Sequence, residues 1–172
     1  MKRIAILLIL VPMYFIALGQ KIITDEVDAF TKAHILETSM KKIAQKRGIM
    51  GRLTDHIELS VRSIDGDITM PCNIFKEPMV KYDEESGIIL LFENGAIANL
   101  KTIYTGIGGE SIGMWGNNWF KTVLTVDSKD LDNLCHQKIT AVRLLYFGGH
   151  QDFKIKGKES EMIINMMQLV MP

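Results

Sequence analysis

Net charge is the first thing this sequence lacks. Twenty lysines and arginines stand against twenty aspartates and glutamates in 172 residues, and only four histidines are present. The charges are spread along the chain, so there is no basic stripe to neutralise a phosphate backbone and no polybasic patch for a membrane surface. Nucleic acid is therefore not an expected partner. The histidines, His34, His56, His136 and His150, show no i, i+4 or alternate-strand spacing that would preset a metal site. The adjacent Cys135 and His136 would diverge by about 100° on a helix. Neither a metal nor a cofactor is expected.

Long apolar runs are also scarce, and the one that stands out opens the chain. Lys2 and Arg3 precede an apolar stretch from Ile4 to Leu18, and Ala17-Leu18-Gly19 puts small residues at the −3 and −1 positions of a signal peptidase site. This pattern reads as a secretory signal peptide, residues 1–19, cleaved before Gln20. Fifteen residues interrupted by Pro12 fall short of the roughly 20 needed to span a bilayer, although an uncleaved anchor is the competing reading. A lipoprotein would need Cys at the cleavage position, which here is Gln20. Loss of Lys2 and Arg3 from 20 basic residues, against 20 acidic ones, leaves the mature chain at −2. Export places it in the periplasm or outside the cell, with no membrane span after cleavage. Cysteine is limited to Cys72 and Cys135. In an oxidising compartment one bridge between them is the simple expectation; the alternative is two buried free thiols.

What is present is strand signal. Ser86 to Gly106 reads as two strands around Asn94-Gly95, a pair suited to a two-residue type I′ turn. The run Ile88 to Phe92 is continuously apolar and fits a strand buried on both faces. From Leu53 to Ile64 apolar and polar residues alternate, and Asp65-Gly66 gives a second strong turn signal. Ile68, Met70, Cys72, Ile74 and Phe75 make a further strand, with Pro71 demoting part of it to an edge or a bulge. Pro78 and Asp83-Glu84-Glu85 form a connection. Further strands are expected over 119–127, 138–147 and 151–156. A short helix falls at 128–137, capped by Asp127-Ser128, and a C-terminal helix at 158–170 carries the stripe Ile163, Met166, Met167 and Val170. The segment 21–46 is ambiguous. Val27, Phe30, Ala33, Leu36, Met40 and Ile43 sit at helical spacing, yet a hairpin turning near Thr31-Lys32 is open as well. The expected architecture is mainly β: one domain over residues 20–172, an antiparallel sandwich or barrel-like sheet with a short helix and a C-terminal helix packed on it.

Several pieces carry a resemblance: EVDAFTK (26–32) with ETS (37–39), LSVRSIDGDITM (59–70), ILLFENGAIANL (89–100), GIGGESIG (106–113) and DLDNLCHQKITAVRLLY (130–146). The chain resembles small exported proteins of unknown function from Bacteroides-type bacteria, over about residues 26–157. The resemblance implies export, a β-rich domain and an extended conformation over 26–39. It brings no functional residues with it.

The glycine-rich segment 106–118, GIGGESIGMWGNN, is the candidate functional loop, because long loops on rigid scaffolds often carry function. Gly109-Glu110-Ser111-Ile112-Gly113 matches the G-x-S-x-G nucleophile pattern, which would make Ser111 the nucleophile, His150 the base and Asp130 its orienter in a small secreted serine hydrolase. The context argues against this: a nucleophile elbow needs a helix after the serine, and Met114-Trp115-Gly116-Asn117-Asn118 is a poor helix start. A phosphate loop fails too, since no Lys-Ser/Thr follows the glycines. Trp115, Asn117, Asn118 and Trp119 could instead stack on and hydrogen-bond a ligand, aromatic rings beside amides being suited to that. The leading expectation is a non-catalytic binding or structural module whose partner is an unknown ligand or a component of the cell envelope. N-terminal sequencing of the protein isolated from its native host is expected to begin at Gln20; a sequence starting at Met1 would show that the leader is retained as an anchor.

Overall fold

The computed structural model describes residues 20–47, 53–76, 80–103, 106–107 and 119–171. Residues 1–19, the expected signal peptide, and most of the glycine-rich loop, including Ser111, Trp115, Asn117 and Asn118, lie outside these residues. Among the described residues the strands are β1 (Ile22–Val27), β2 (His34–Thr38), β3 (Lys41–Arg47), β4 (Leu53–Leu59), β5 (Arg62–Ile64), β6 (Asp67–Phe75), β7 (Lys81–Tyr82), β8 (Gly87–Phe92), β9 (Ile97–Thr102), β10 (Gly106–Ile107), β11 (Trp119–Thr125), β12 (Ile139–Tyr146) and β13 (Gly149–Lys154). Two helices follow the same numbering: α1 (Leu131–His136), entered through a 3-10 turn at Ser128–Asp130, and α2 (Gly157–Val170).

The fold is mainly antiparallel β. One 11-stranded sheet runs in the order β1-β2-β5-β6-β11-β9-β8-β12-β13, with β4 also on β6 and β3 on β4. The small pair β7–β10 stands apart from it. The hairpin β8–β9 sits inside the path, flanked by β12 and β11. The sheet curls without closing: β3 and β13, each paired on one side only, approach one another, and α2 packs against β2, β3 and β12. The side chains that alternate inward fill the interior. They include Ile57, Leu59, Met70, Ile74, Ile88, Leu90, Leu100, Leu124, Val142 and Leu144, each no more than 2% exposed. From α2 come Ile163, Met166, Met167 and Val170, all buried as the stripe requires.

β6 runs through Pro71 as a central strand, paired along one edge with β11 and along the other with β4 and β5. The partner strand breaks at Ser60-Val61, where Ser60 N–H donates to the Pro71 carbonyl at 3.0 Å. Pro71 has no N–H to return, so the break falls where the ladder loses a donor. Thr38 carries the break into the next strand, its hydroxyl accepting from Val61 N–H at 2.9 Å.

The segment 21–46, open between a helix and a hairpin in the sequence, is extended, as the resemblance implied: β1 and β2 form a hairpin, with β3 following in line. Four expectations need correction. β8 is buried on one face only, since Leu91 is 40% exposed while Ile88 and Leu90 are sealed. The Asn94-Gly95 turn is not type I′. Gly95 alone is left-handed, its N–H donates to the Phe92 carbonyl at 3.0 Å, and the loop has three residues; the type I′ signature of two positive φ values belongs to Asp65-Gly66. Finally, Cys72 and Cys135 are both free. Cys72 is sealed in the interior on β6, whereas Cys135 lies on α1 with its S–H directed at Met171 Sδ, 3.1 Å away. The expected cap is also modified: Asp127 makes no side-chain capping bond and its carboxylate pairs with Lys129 at 3.0 Å instead.

Gly87 opens β8 where a Cβ would collide with the backbone carbonyl of Leu100 on β9. Gly87→Ala is expected to cost about 1–3 kcal/mol in denaturant unfolding, the usual penalty for overpacking. Gly157→Ala, at a position with open space around it, is expected to stay within about 0.5 kcal/mol. Equal effects of the two changes would contradict the packing described for β8.

Candidate functional site

Residue parity decides what enters the interior. On β6 and just past it, Ile68, Met70, Cys72, Ile74 and then Lys76 all point inward and are buried. On β4 the inward series is Leu59, Ile57 and then Asp55. A lysine and an aspartate are thus carried under cover at the same end of the sheet. Asp55 is 5% exposed, Lys76 is 9% exposed, and Asp55 Oδ2 lies 3.5 Å from Lys76 Nζ. Burial of either charge alone would cost several kcal/mol, so each needs the other. The Lys76 ammonium also sits 5.5 Å from the centre of the Tyr146 ring.

Tyr82 completes the cluster. Its ring stacks on Phe120 at 4.2 Å and 6° and is 2% exposed. Its hydroxyl is buried with no hydrogen-bond partner among the described residues. Burial above all, and then the fields of Cys72, Asp55 and Tyr146, push the phenol well above its ordinary range. Tyr82 is therefore a neutral O–H with a free donor. Burial raises the Cys72 thiol far above its ordinary value too, helped by Glu58, which leaves it no thiolate character and no nucleophilic role.

The outer face of the same strand ends is aromatic. Register aligns His56, Phe75 and Trp119 across β4, β6 and β11. The His56 ring stacks on Phe75 at 4.0 Å, and Phe75 faces Trp119 at 6.5 Å. The neighbouring row in register is Lys42, Glu58, Asn73 and Lys121. Lys121 Nζ lies 4.3 Å from the centre of the Trp119 ring, so that ring is already covered by a cation. His56 Nε2 is 3.7 Å from Glu58, and its Nδ1 is buried without a hydrogen-bond partner. Desolvation and the Lys42 charge lower the His56 pKa, outweighing Glu58 and Asp55, which act the other way.

The glycine-rich segment is held at this cluster from both sides. Gly106 pairs with Tyr82 through β10–β7, and Trp119 pairs with Phe75 as β11 begins. Of the residues expected to bind a ligand, Trp119 is placed here, while Trp115, Asn117 and Asn118 are outside the described residues. The hydrolase set is not assembled among the described residues. Asp130 is 5% exposed at the entry to α1, with its Oδ2 unpartnered, and His150 lies exposed on β13 with no bond to it. Among the described residues no group of three or more His, Cys, Asp or Glu could hold a metal ion. Asp55, Lys76 and Tyr82 were not singled out from the sequence. The signal for the first two was available, because extending the inward series by one step on β4 and on β6 reaches each of them. No protein-family model matches the chain, and no curated protein or solved structure matches it significantly.

A histidine whose folded pKa lies below the ordinary 6.5 favours folding above that value, and the benefit is lost as pH falls through the folded pKa. NMR titration is expected to place the His56 midpoint below 6.5. His56→Gln should flatten the decline of stability as pH falls below about 6.5. A His56 midpoint at or above 6.5 would show the ring to be solvated.

Proposed function

We propose that the protein is an exported, non-catalytic binding module; its resemblance to small exported Bacteroides-type proteins supports the export and the β-rich domain. In this reading residues 1–19 are removed, and residues 20–172 act as one β-rich domain in the periplasm or at the cell surface. Among the described residues no helix is long and apolar enough to cross a membrane. The ligand is a small polar molecule, or a polar group on an envelope partner, received at the Asp55–Lys76–Tyr82 end of the sheet.

The observation that carries the reading is the Tyr82 hydroxyl. A buried polar group without a partner costs about 1–3 kcal/mol, and a phenylalanine would fill the same space. Retaining the hydroxyl makes physical sense if a ligand accepts its hydrogen bond. The adjacent Asp55–Lys76 pair supports this, since it places charges of both signs at the end of the sheet where Gly106 pairs with Tyr82. The buried Cys72 thiol, and the lack of any hydrogen bond between Asp130 and His150 among the described residues, weigh against a nucleophilic enzyme.

Tyr82→Phe is expected to unfold at higher denaturant, with a gain of about 1 kcal/mol, because it deletes an unpaired hydroxyl. In a thermal-shift screen of monosaccharides, amino acids and small carboxylates, compounds that stabilise the parent should fail to stabilise Tyr82→Phe. A loss of stability in the variant would mean that the hydroxyl has a structural partner, and hits shared by both proteins would place the ligand elsewhere.

A further inference from the structure

At the other end of β6, four features converge on the hairpin β1–β2. First, the hairpin carries three large exposed apolar side chains, among them the most exposed such side chain of the described residues: Phe30 is 95% exposed, Val27 60% and Ile23 55%. Second, the turn that presents Phe30 is rigidly built. The Asp28 carboxylate accepts from Phe30 N–H at 2.9 Å, from Thr31 N–H at 2.6 Å and from the Thr31 hydroxyl at 2.9 Å. Those bonds hold the carboxyl below its usual range. Asp28 N–H closes the turn on the Ala33 carbonyl at 2.8 Å, and Lys32 Nζ donates to the Ala29 carbonyl at 2.9 Å.

Third, both non-glycine residues with positive φ among the described residues lie at this end: Lys32 (64°) and Asp65 (49°). Backbone strain of this kind is kept where the surroundings enforce it, often at recognition sites. Asp65 is fixed by accepting His34 N–H at 2.7 Å and by donating its own N–H to the His34 carbonyl at 3.0 Å. Fourth, a largely apolar groove of about 480 Å³ opens beside the hairpin, between Leu36 and Ser63 of the sheet and Val170 and Met171 at the end of α2, with His34 and Asp65 also in its lining.

We infer that this hairpin is a self-association surface, in which the Phe30 knob of one copy seats in the Leu36–Met171 groove of a second copy and the contact is made twice about a two-fold axis. Knob and groove lie on the same hairpin, only six residues apart from Phe30 to Leu36, so one rotation satisfies both. Charge fits the pairing. Lys32, exposed beside Phe30, comes to the groove that carries the exposed Asp65. A lipid surface fits less well, because Asp25, Glu26 and Asp28 border the knob and anionic headgroups repel them. A turn already held in its bound shape loses little entropy on docking. A phenylalanine buries about 150–250 Å², so the reciprocal contact falls short of the roughly 1,200 Å² of a stable complex. The dimer is therefore reversible, with a dissociation constant on the order of 100 µM.

Sedimentation equilibrium of the isolated protein over about 10–500 µM is expected to fit a monomer–dimer equilibrium. Phe30→Ser should weaken it at least tenfold with an unchanged melting temperature, and Lys32→Glu should weaken it as well. Leu36→Arg blocks the groove but leaves the knob. Mixing it with Phe30→Ser should give a heterodimer retaining one of the two contacts and associating more strongly than either variant alone. A monomeric parent across the range, or Phe30→Ser associating like the parent, overturns the proposal. So does a mixture no stronger than its components. Phe30-dependent co-sedimentation of a monomeric protein with phosphatidylcholine vesicles would assign the knob to lipid instead.

Discussion

The pairing of β6 along both of its edges is the constraint on which the rest of the structure depends. Of its nine residues, seven (69–75) pair with β11 on one side, and 67–69 and 72–75 pair with β5 and β4 of the broken strand on the other. Strand side chains alternate with a period of two, so fixing the register of β6 fixes the face of every residue on it. Ile68, Met70, Cys72 and Ile74 must then point inward, and Lys76 must follow them. The lysine is not accommodated at a defect; it is delivered to the interior by the same rule that builds the core. Asp55 reaches it by the parallel rule on β4. A one-residue slip of β6 would expose four core side chains and bury Thr69, Asn73 and Phe75 in their place.

This rule gives the sheet two ends of different character. At the Lys76 end the interior is polar and the outer surface aromatic. At the Asp67 end the sheet continues through β5 into β2 and β1, whose apolar side chains face outward. The stretch between them is sealed by residues exposed by 2% or less, from Met70 and Ile74 to Leu90 and Leu124. A buried ion pair adds little stability over an apolar pair of the same size, while breaking it costs about 3–5 kcal/mol. The Asp55–Lys76 pair is thus better understood through what it presents than through what it stabilises. The apolar middle supplies the stability that leaves both ends free to carry chemistry.

How much of this was legible in the sequence follows from the range of each signal. Periodicity is local: period-two alternation identified the strands around Leu59, Met70 and Leu144, and helical spacing identified the stripe from Ile163 to Val170. Turn chemistry was legible in part. Asp65-Gly66 makes the expected type I′ turn, whereas Asn94-Gly95 makes a three-residue loop, because Gly95 alone takes the left-handed conformation and Asn94 instead accepts Ala96 N–H with its side chain at 2.9 Å. The segment 27–43 stayed open between helix and hairpin because a strand pair with a break at Ser39-Met40 changes phase midway, and such a change mimics a 3.6-residue period. The polar cluster was hidden for a different reason. Asp55 and Lys76 are 21 positions apart, and each looks like an ordinary solvated residue until the register places them side by side. Tyr82 was less legible still, since its burial comes from the two-residue pairing with Gly106 and from stacking on Phe120.

Sandwich and barrel could not be distinguished from the sequence, because both need the same alternation and the same short turns. The outer edges of β3 and β13 settle the matter. They approach without pairing, so the curled sheet has a seam, and a seam leaves interior side chains without a second layer. α2 supplies that layer. Its buried stripe contains Met166 and Met167, and the unbranched, flexible thioether side chain suits an irregular gap better than a branched one. Two further bonds hold the helix in place: Ser160 Oγ accepts Ile139 N–H at 2.8 Å where β12 begins, and Gln168 Nε2 donates to the Cys135 carbonyl at 3.0 Å on α1. The C-terminal helix is therefore a structural consequence of incomplete closure. Its last residues, Val170 and Met171, reach the groove beside the β1–β2 hairpin because the seam runs to that end of the sheet.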